Sequence, residues 1–287
     1  MLLRLARPLY LVLAASTYLF GASLADYLGK PVSLAAFWLG LFAMLLMQSL
    51  MSLLAQVFRL DVEPLLEGET RSRRQILRNN VLYTSLGCIV VVALTTYVLF
   101  ANRLHPFSSF FFLLLSTIVI LVHSIPPLRF VNRGAGEFLL AVHIAYVIPS
   151  FAFTLQAGET HRLLALAVPL TLLGFAYFIV SNFQSFAQDQ KLGRITFLTR
   201  LGWERVVPLH HALILFAYFL FLTSPIFGLN LSLIGPAFLT LPFALFQIFQ
   251  LRNIALGAKP NWTLLHMTSI AVFGLAVYFL TLTFWLR

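Results

Sequence analysis

The chain has 287 residues, 60% of them apolar and only 10% charged, where a soluble domain carries roughly a quarter charged. This composition, with 29 Phe, excludes a disordered chain, a disulfide-stapled secreted module and a water-soluble nucleic-acid binder, although the net charge is +10. The single cysteine, Cys88, stands in an apolar run, which also excludes an intrachain disulfide and a cysteine metal cluster.

A membrane-spanning helix needs about 20 largely apolar residues. Nine runs bounded by charge or by Gly and Pro meet that need, near 8–26, 34–58, 81–101, 107–123, 137–157, 162–184, 206–228, 231–251 and 264–286. Their continuous apolarity, without dyad alternation, argues for helices and against an outer-membrane barrel. The first run follows Arg4 and Arg7 and is longer than a signal-peptide core, with no small-residue cleavage site, so it reads as a span. The expected fold class is therefore an all-α polytopic bundle of about nine transmembrane helices, one domain over 1–287.

The basic residues fix the expected orientation. With the N-terminus on the cytoplasmic side, the inner segments hold fifteen Lys and Arg, among them Arg59, Arg71, Arg129, Lys191, Arg194 and Arg252. The outer segments hold four: Lys30, Arg103, Arg162 and Arg287. That asymmetry is the positive-inside pattern of a cytoplasmic (inner) membrane protein, with the C-terminus on the opposite side. The inner segments 59–80 and 185–205 are the longest and most polar, and are expected to form a cytoplasmic cap that carries the function. They follow the second and sixth spans, at an offset of roughly 125 residues, which suggests a weak two-fold internal repeat.

Two stretches carry a family resemblance. The first is Ser181-Asn182-Phe183-Gln184-Ser185-Phe186-Ala187-Gln188-Asp189-Gln190-Lys191-Leu192-Gly193-Arg194-Ile195-Thr196, followed by Arg200-Leu201-Gly202-Trp203-Glu204-Arg205. The second is Pro126-Pro127-Leu128-Arg129-Phe130, then Arg133-Gly134-Ala135-Gly136-Glu137, continuing to Pro149 and to Gln156-Ala157-Gly158. The chain here resembles the UbiA-type intramembrane prenyltransferases, whose sixth helix ends in N-x-x-x-D-x-x-x-D and continues into R-K-x-G-x-x-T and V-R-L-G-x-E-R, and whose fifth helix is entered through P-P-L-R and R-G-x-G-E. The resemblance implies a nine-helix fold and the transfer of an isoprenyl group from a diphosphate to a quinone-ring precursor, a tetrapyrrole or another lipid. It also implies Mg²⁺ held by aspartates of two motifs, because a departing diphosphate needs its charge neutralised and Mg²⁺ prefers hard oxygen ligands. Carboxylates at i and i+4 share a helix face, which explains that spacing.

The sequence departs from the family pattern at those aspartates. In the second motif Asp189 keeps the last acid, Ser185 stands at the first and Ala187 where a further acid is usual. In the first motif, placed by its position at the end of the second span, Gln56 and Arg59 replace aspartates and Glu63 takes the third position, with Asp61 off that helical face. Metal ligands are thereby reduced to Asp189 and Glu63. Arg59 adds a charge that deprotonation cannot remove, and it repels divalent ions. Arg59 and Asp189 are expected to face each other as an ion pair in a vestigial metal site.

Three readings of the basic residues stand side by side. Arg59, Arg71, Lys191 and Arg194 could be topological anchors on anionic lipid, a phosphate or anionic-headgroup site, or the clamp of a working diphosphate site. Gln56, Asn182, Ser185 and Gln188 would line the cavity mouth. Glu137, an acid in a first helical turn, reads as structural, and His143 as a histidine bonded to a neighbouring helix rather than a ligand. The pair His210-His211 has no metal-ligand spacing. Phe107, Phe110, Phe111 and Phe112, and Phe183, Phe186 and Phe197 near the motif, read as lipid-facing by default or as tunnel lining by resemblance.

The expected function follows from the ligand count: a UbiA-like protein, non-catalytic or repurposed, that binds an isoprenoid such as a quinone or carotenoid, with a larger membrane complex as one setting for it. The alternative is an active prenyltransferase, and only then is Mg²⁺ a cofactor. The expected partners are the lipid bilayer, the isoprenoid and membrane-complex subunits, with no nucleic acid.

Overall fold

The computed structural model describes residues 5–59, 74–102, 104 and 106–287. Among them, nine helices are long and apolar enough to cross a membrane. In chain order, with two short helices between the sixth and seventh of them, they are α1 (Pro8–Tyr27), α2 (Leu34–Val57), α3 (Arg74–Ala101), α4 (Phe107–Ser124), α5 (Gly136–Ala157), α6 (Arg162–Ser181), the short α7 (Phe186–Lys191) and α8 (Phe197–Leu201), then α9 (Trp203–Ile226), α10 (Leu231–Ala255) and α11 (Trp262–Trp285). The nine expected spans are present. The expected inner loop 59–80 needs correction, because residues 74–80 are the first turns of α3. Those turns are polar helix, which a search for apolar runs does not register.

Local chemistry sets the helix ends. Pro8 opens α1, where its missing N–H costs nothing. The Ser33 hydroxyl accepts the Ala36 N–H at the start of α2, and Gly158, at φ 77°, closes α5. Inside α5, Pro149 cannot donate to the carbonyl one turn earlier, and residues His143–Val147 widen into a π-turn just before it.

Helix α1 is the axis of the bundle, packed against α2, α5 and α11. Its closest approach is to α5: a Cβ on Gly21 would drive into the Pro149 carbonyl. This close backbone contact is how helices gain packing energy where lipid removes the hydrophobic incentive to associate. Helices α5 and α6 are the most enclosed and α3 the least, lying on the outside against α2. Between α3 and α4 runs an outward apolar groove of about 660 Å³, lined by Ala93, Thr96, Tyr97, Phe100, Phe107 and Phe110. Of the phenylalanines opening α4, Phe112 is buried while Phe107, Phe110 and Phe111 are exposed to the bilayer side. Phe183, by contrast, is in the core, edge-on to Trp203 at 4.4 Å between centroids.

Successive spans alternate direction, so the links after α2, α4, α6 and α10 gather at one end. Contacts between distant residues there confirm it: Arg129 reaches the Ala55 carbonyl at 3.4 Å, and the Gly134 N–H donates to the Ile195 carbonyl at 3.1 Å. At the other end the Ser33 N–H donates to Gln156 Oε1 at 2.9 Å, and Lys30 meets Glu159 at 2.8 Å.

Candidate functional site

The site is built at the first of these ends, on the segment between α6 and α9. Helix α6 stops at Asn182 and the chain turns into α7. Gly193, at φ 66°, then reverses it, and Thr196 caps α8 in a mutual capping box with Thr199. Gly202, at φ 79°, hands the chain on to α9. Aromatic contacts pin this excursion to the bundle: Phe186 lies against Trp203 at 5.9 Å, and Phe197 against Phe175 at 5.1 Å.

Asp189 is buried at 3% exposure, and both of its carboxylate oxygens are occupied. Ser185 Oγ donates to Oδ2 at 2.8 Å, and Arg194 Nη1 lies 3.5 Å from Oδ1. Among the described residues, then, Asp189 is paired with Arg194, and the expected Arg59–Asp189 ion pair is not made. The Gly193 turn explains the difference, because it brings the guanidinium five residues along back over its own helix.

Arg59 is also buried, at 8% exposure, just past the end of α2. Its carbonyl accepts from the Arg78 guanidinium at the start of α3. Gln56 Oε1, one turn earlier, is buried without a hydrogen-bond partner. Asn182 donates its amide to Glu137, while Lys191 and Gln188 face outward. Glu63 and Arg71 lie outside the described residues, as does Asp61. The structure thus brings together Asp189, Ser185 and Arg194, and places Asn182 beside them.

Three other residues of this end were visible in the sequence but not assigned to the site. Glu137 accepts from Asn182 Nδ2 and, at 3.1 Å, from the Phe197 N–H. Arg129 takes a left-handed backbone, φ 36°, a conformation that costs a non-glycine residue about 1–2 kcal/mol. Arg7, also left-handed at φ 54°, stacks on Tyr10 at 5.1 Å and donates to its hydroxyl. Arg7, Glu137 and Arg194 line one small cavity of about 30 Å³. The R-G-x-G-E run marked Glu137 in the sequence, but nothing local to it indicated that its partners lie 45 and 60 residues away.

The donor set decides whether magnesium fits. Mg²⁺ takes near-octahedral oxygen ligands and usually at least one or two carboxylates. Among the described residues no three His, Cys, Asp or Glu side chains converge, and the one motif aspartate already accepts from a hydroxyl and a guanidinium. The described residues therefore do not fit a magnesium centre of the kind the family motifs imply. What they do offer is cationic: Arg194, with its Nε buried and without a partner, next to exposed Lys191.

The profile of the UbiA prenyltransferase family matches residues 14–270. No curated protein matches the chain in sequence. Among solved structures, a UbiA homologue from Archaeoglobus fulgidus bound to DMAPP and Mg²⁺ superposes with a TM-score of 0.67 at 18% identity, over 97% of this chain and 98% of that one. The UbiA homologue from the same organism bound to GPP and Mg²⁺ gives 0.65 at 19% identity, over 97% and 99%. The apo UbiA homologue from Aeropyrum pernix gives 0.57 at 16% identity, over 92% and 97%. At identities this low the likeness establishes the fold, and the family rests on the profile.

Proposed function

This chain belongs to the UbiA prenyltransferase family, and from that premise we propose that it is a repurposed member that holds an isoprenoid lipid and no longer transfers a prenyl group. The observation that carries this reading is the state of Asp189. The acid retained from the second motif is buried, with one oxygen on Ser185 and the other facing Arg194. A metal ion on Asp189 would have to displace a guanidinium, and a buried Arg59 stands where the first motif has an acid. Neither substitution touches the apolar body of the bundle, so the fold can keep a lipid-binding role after losing its metal chemistry. The ligand class we assign is an isoprenoid such as a quinone or carotenoid, held in a cytoplasmic membrane, with a membrane complex as the natural setting for a non-catalytic subunit.

A second reading keeps the cations in use. Arg194 and Lys191, with Arg59 and Arg71, would hold a diphosphate or an anionic headgroup through direct arginine forks. Its support is the buried, unpartnered Nε of Arg194. The A. fulgidus homologues bound to DMAPP or GPP with Mg²⁺ make an isoprenyl diphosphate the natural probe.

One set of measurements separates the readings. Purified protein is extracted and its lipids identified by mass spectrometry, and geranyl diphosphate is then titrated with and without Mg²⁺. A co-purifying isoprenoid and no magnesium-dependent binding is the expected result. Magnesium-independent binding of the diphosphate would favour the anion site. Magnesium-dependent conversion of the labelled diphosphate would sink the non-catalytic reading.

A further inference from the structure

We propose that Glu137 is the positioning residue of this site: one of its carboxylate oxygens closes the 183–196 segment at both ends and so fixes where Asp189, Lys191 and Arg194 stand. The observation is a convergence. Asn182, the last residue before the segment, donates its side-chain amide to Glu137 Oε1. Phe197, the first residue after it, donates its backbone N–H to the same oxygen at 3.1 Å. Fourteen residues of chain (183–196) therefore begin and end on one atom, which belongs to a different helix.

The chemistry suits that task. Phe197 N–H is the first of the donors a helix start leaves without an internal partner, and a buried carboxylate is a strong acceptor for it. Glu137 is 7% exposed, so water competes little for these bonds. Neighbouring contacts reinforce the same junction. The Gly134 N–H donates to the Ile195 carbonyl at 3.1 Å, and Arg200 Nη1 donates to the Arg133 carbonyl at 2.9 Å. Gly134 makes room for that arginine, since a Cβ there would stand 2.8 Å from Arg200 Cδ.

The second carboxylate oxygen is left over from these contacts. Glu137 Oε2 is buried with no hydrogen-bond partner, in a residue that lines the 30 Å³ cavity together with Arg7 and Arg194. A cavity of that size admits a water, which can bridge the oxygen to its neighbours. Glu137 thus holds the segment that carries Asp189 by its two ends, and it shares a cavity with the arginine that covers Asp189. A carboxylate whose only task was to complement the dipole of its own helix would need neither the Asn182 nor the Phe197 donor.

Hydrogen exchange of the full-length protein in detergent tests this directly, comparing wild type with Glu137→Ala and Glu137→Gln. The alanine variant is expected to raise exchange across 183–196 by about tenfold or more, the factor that one lost hydrogen bond to a charged group corresponds to, while α9 and α10 keep their protection. The glutamine variant retains a carbonyl oxygen and is expected to restore most of the protection. Unchanged exchange over 183–196 in the alanine variant would overturn the proposal, and so would failure of glutamine to restore it. Should the alanine variant not fold, Asn182→Ala removes one end alone, and exchange must then rise over 183–188; no rise overturns the proposal equally.

A second arm rests on the reading of this end as a ligand site. With geranyl diphosphate as probe, any wild-type affinity is expected to fall in the alanine variant and to return with glutamine. A wild type that binds no diphosphate counts against the anion reading alone, because the exchange result still decides the role of Glu137.

Discussion

His143 sits where three helices meet. Its Nδ1 lies 2.8 Å from Gln48 Oε1 on α2, and its Nε2 lies 2.7 Å from Ser116 Oγ on α4. All three side chains have no exposure, and the chain of bonds is complete when Nδ1 carries the proton and the serine hydroxyl donates to Nε2. Replacing His143 with Leu leaves two polar groups stranded in an apolar interior, so the variant should lower the unfolding midpoint in detergent. In a Gln48→Leu/His143→Leu double-mutant cycle, the expected coupling is about 0.6–1.7 kcal/mol, between the average and the maximum for hydrogen bonds between membrane helices. Additive single effects would mean the chain contributes nothing. The sequence marked His143 as a histidine bonded to a neighbouring helix, since an ionisable residue within a span needs a partner. It could not supply the identity of that partner, because Gln48 lies 95 positions earlier and nothing local links the two. The Arg59 partner expected for Asp189 failed for a related reason. Pairing it with Arg59 assumed that charge complementarity acts across the repeat, whereas a tight glycine turn delivered Arg194 from five residues away.

Helix α1 shows what close approach demands of an element. A Cβ on Gly21 meets backbone, the Pro149 carbonyl, which cannot swing aside as a side chain would. Gly21→Ala should therefore push α1 from α5 and cost about 1–3 kcal/mol, the usual range for overpacking. Gly87, in the exposed face of α3, has open space around it. Gly87→Ala should be neutral, or stabilising by up to about 1 kcal/mol through helix propensity. Chemical unfolding of the two variants side by side checks the contrast, and equal effects would refute the packing argument. Element existence was legible in the sequence because twenty apolar residues in a row have few other uses. The start of α3 was not legible. Its 28 residues make a helix of about 42 Å at 1.5 Å per residue, longer than the roughly 30 Å hydrocarbon core, so the polar turns from Arg74 to Asn80 have no apolar signature. The short helices α7 and α8 were equally invisible, being held by a capping box and aromatic contacts rather than by any periodic apolar face.

At the scale of the molecule the two ends of the bundle differ in chemistry. One end carries Arg7, Arg59, Arg129, Arg194 and Arg200; Arg129 and Arg200 are tied into backbone carbonyls, Arg194 into Asp189 and Arg7 into the Tyr10 hydroxyl. The other is held by small polar contacts: Ser108 Oγ donates to the Gly158 carbonyl at 2.9 Å, and Arg287 Nη1 donates to Ser232 Oγ at 2.7 Å. It also has the Lys30–Glu159 pair, in which the ammonium holds the Glu159 carboxyl below its ordinary range. A folded-state pKa lowered in this way contributes in full above the unfolded value and is lost as pH falls through the lowered one. The pair lies in water, where salt screens it, so it orients this end more than it stabilises it. The basic end is expected to face the cytoplasm, since translocation disfavours clustered Arg and Lys near span ends. Single cysteines test both the orientation and the parity of the spans. In a Cys88→Ser background, Gln190→Cys and Ala258→Cys lie at the basic end and Thr160→Cys at the other, all three at exposed positions. A membrane-impermeant maleimide should label the first two only in inverted vesicles, and the third only in right-side-out cells stripped of their wall. Labelling of 190 and 258 from opposite faces would mean that α9 and α10 do not both cross, and reversal of all three would place the arginine-rich end outside.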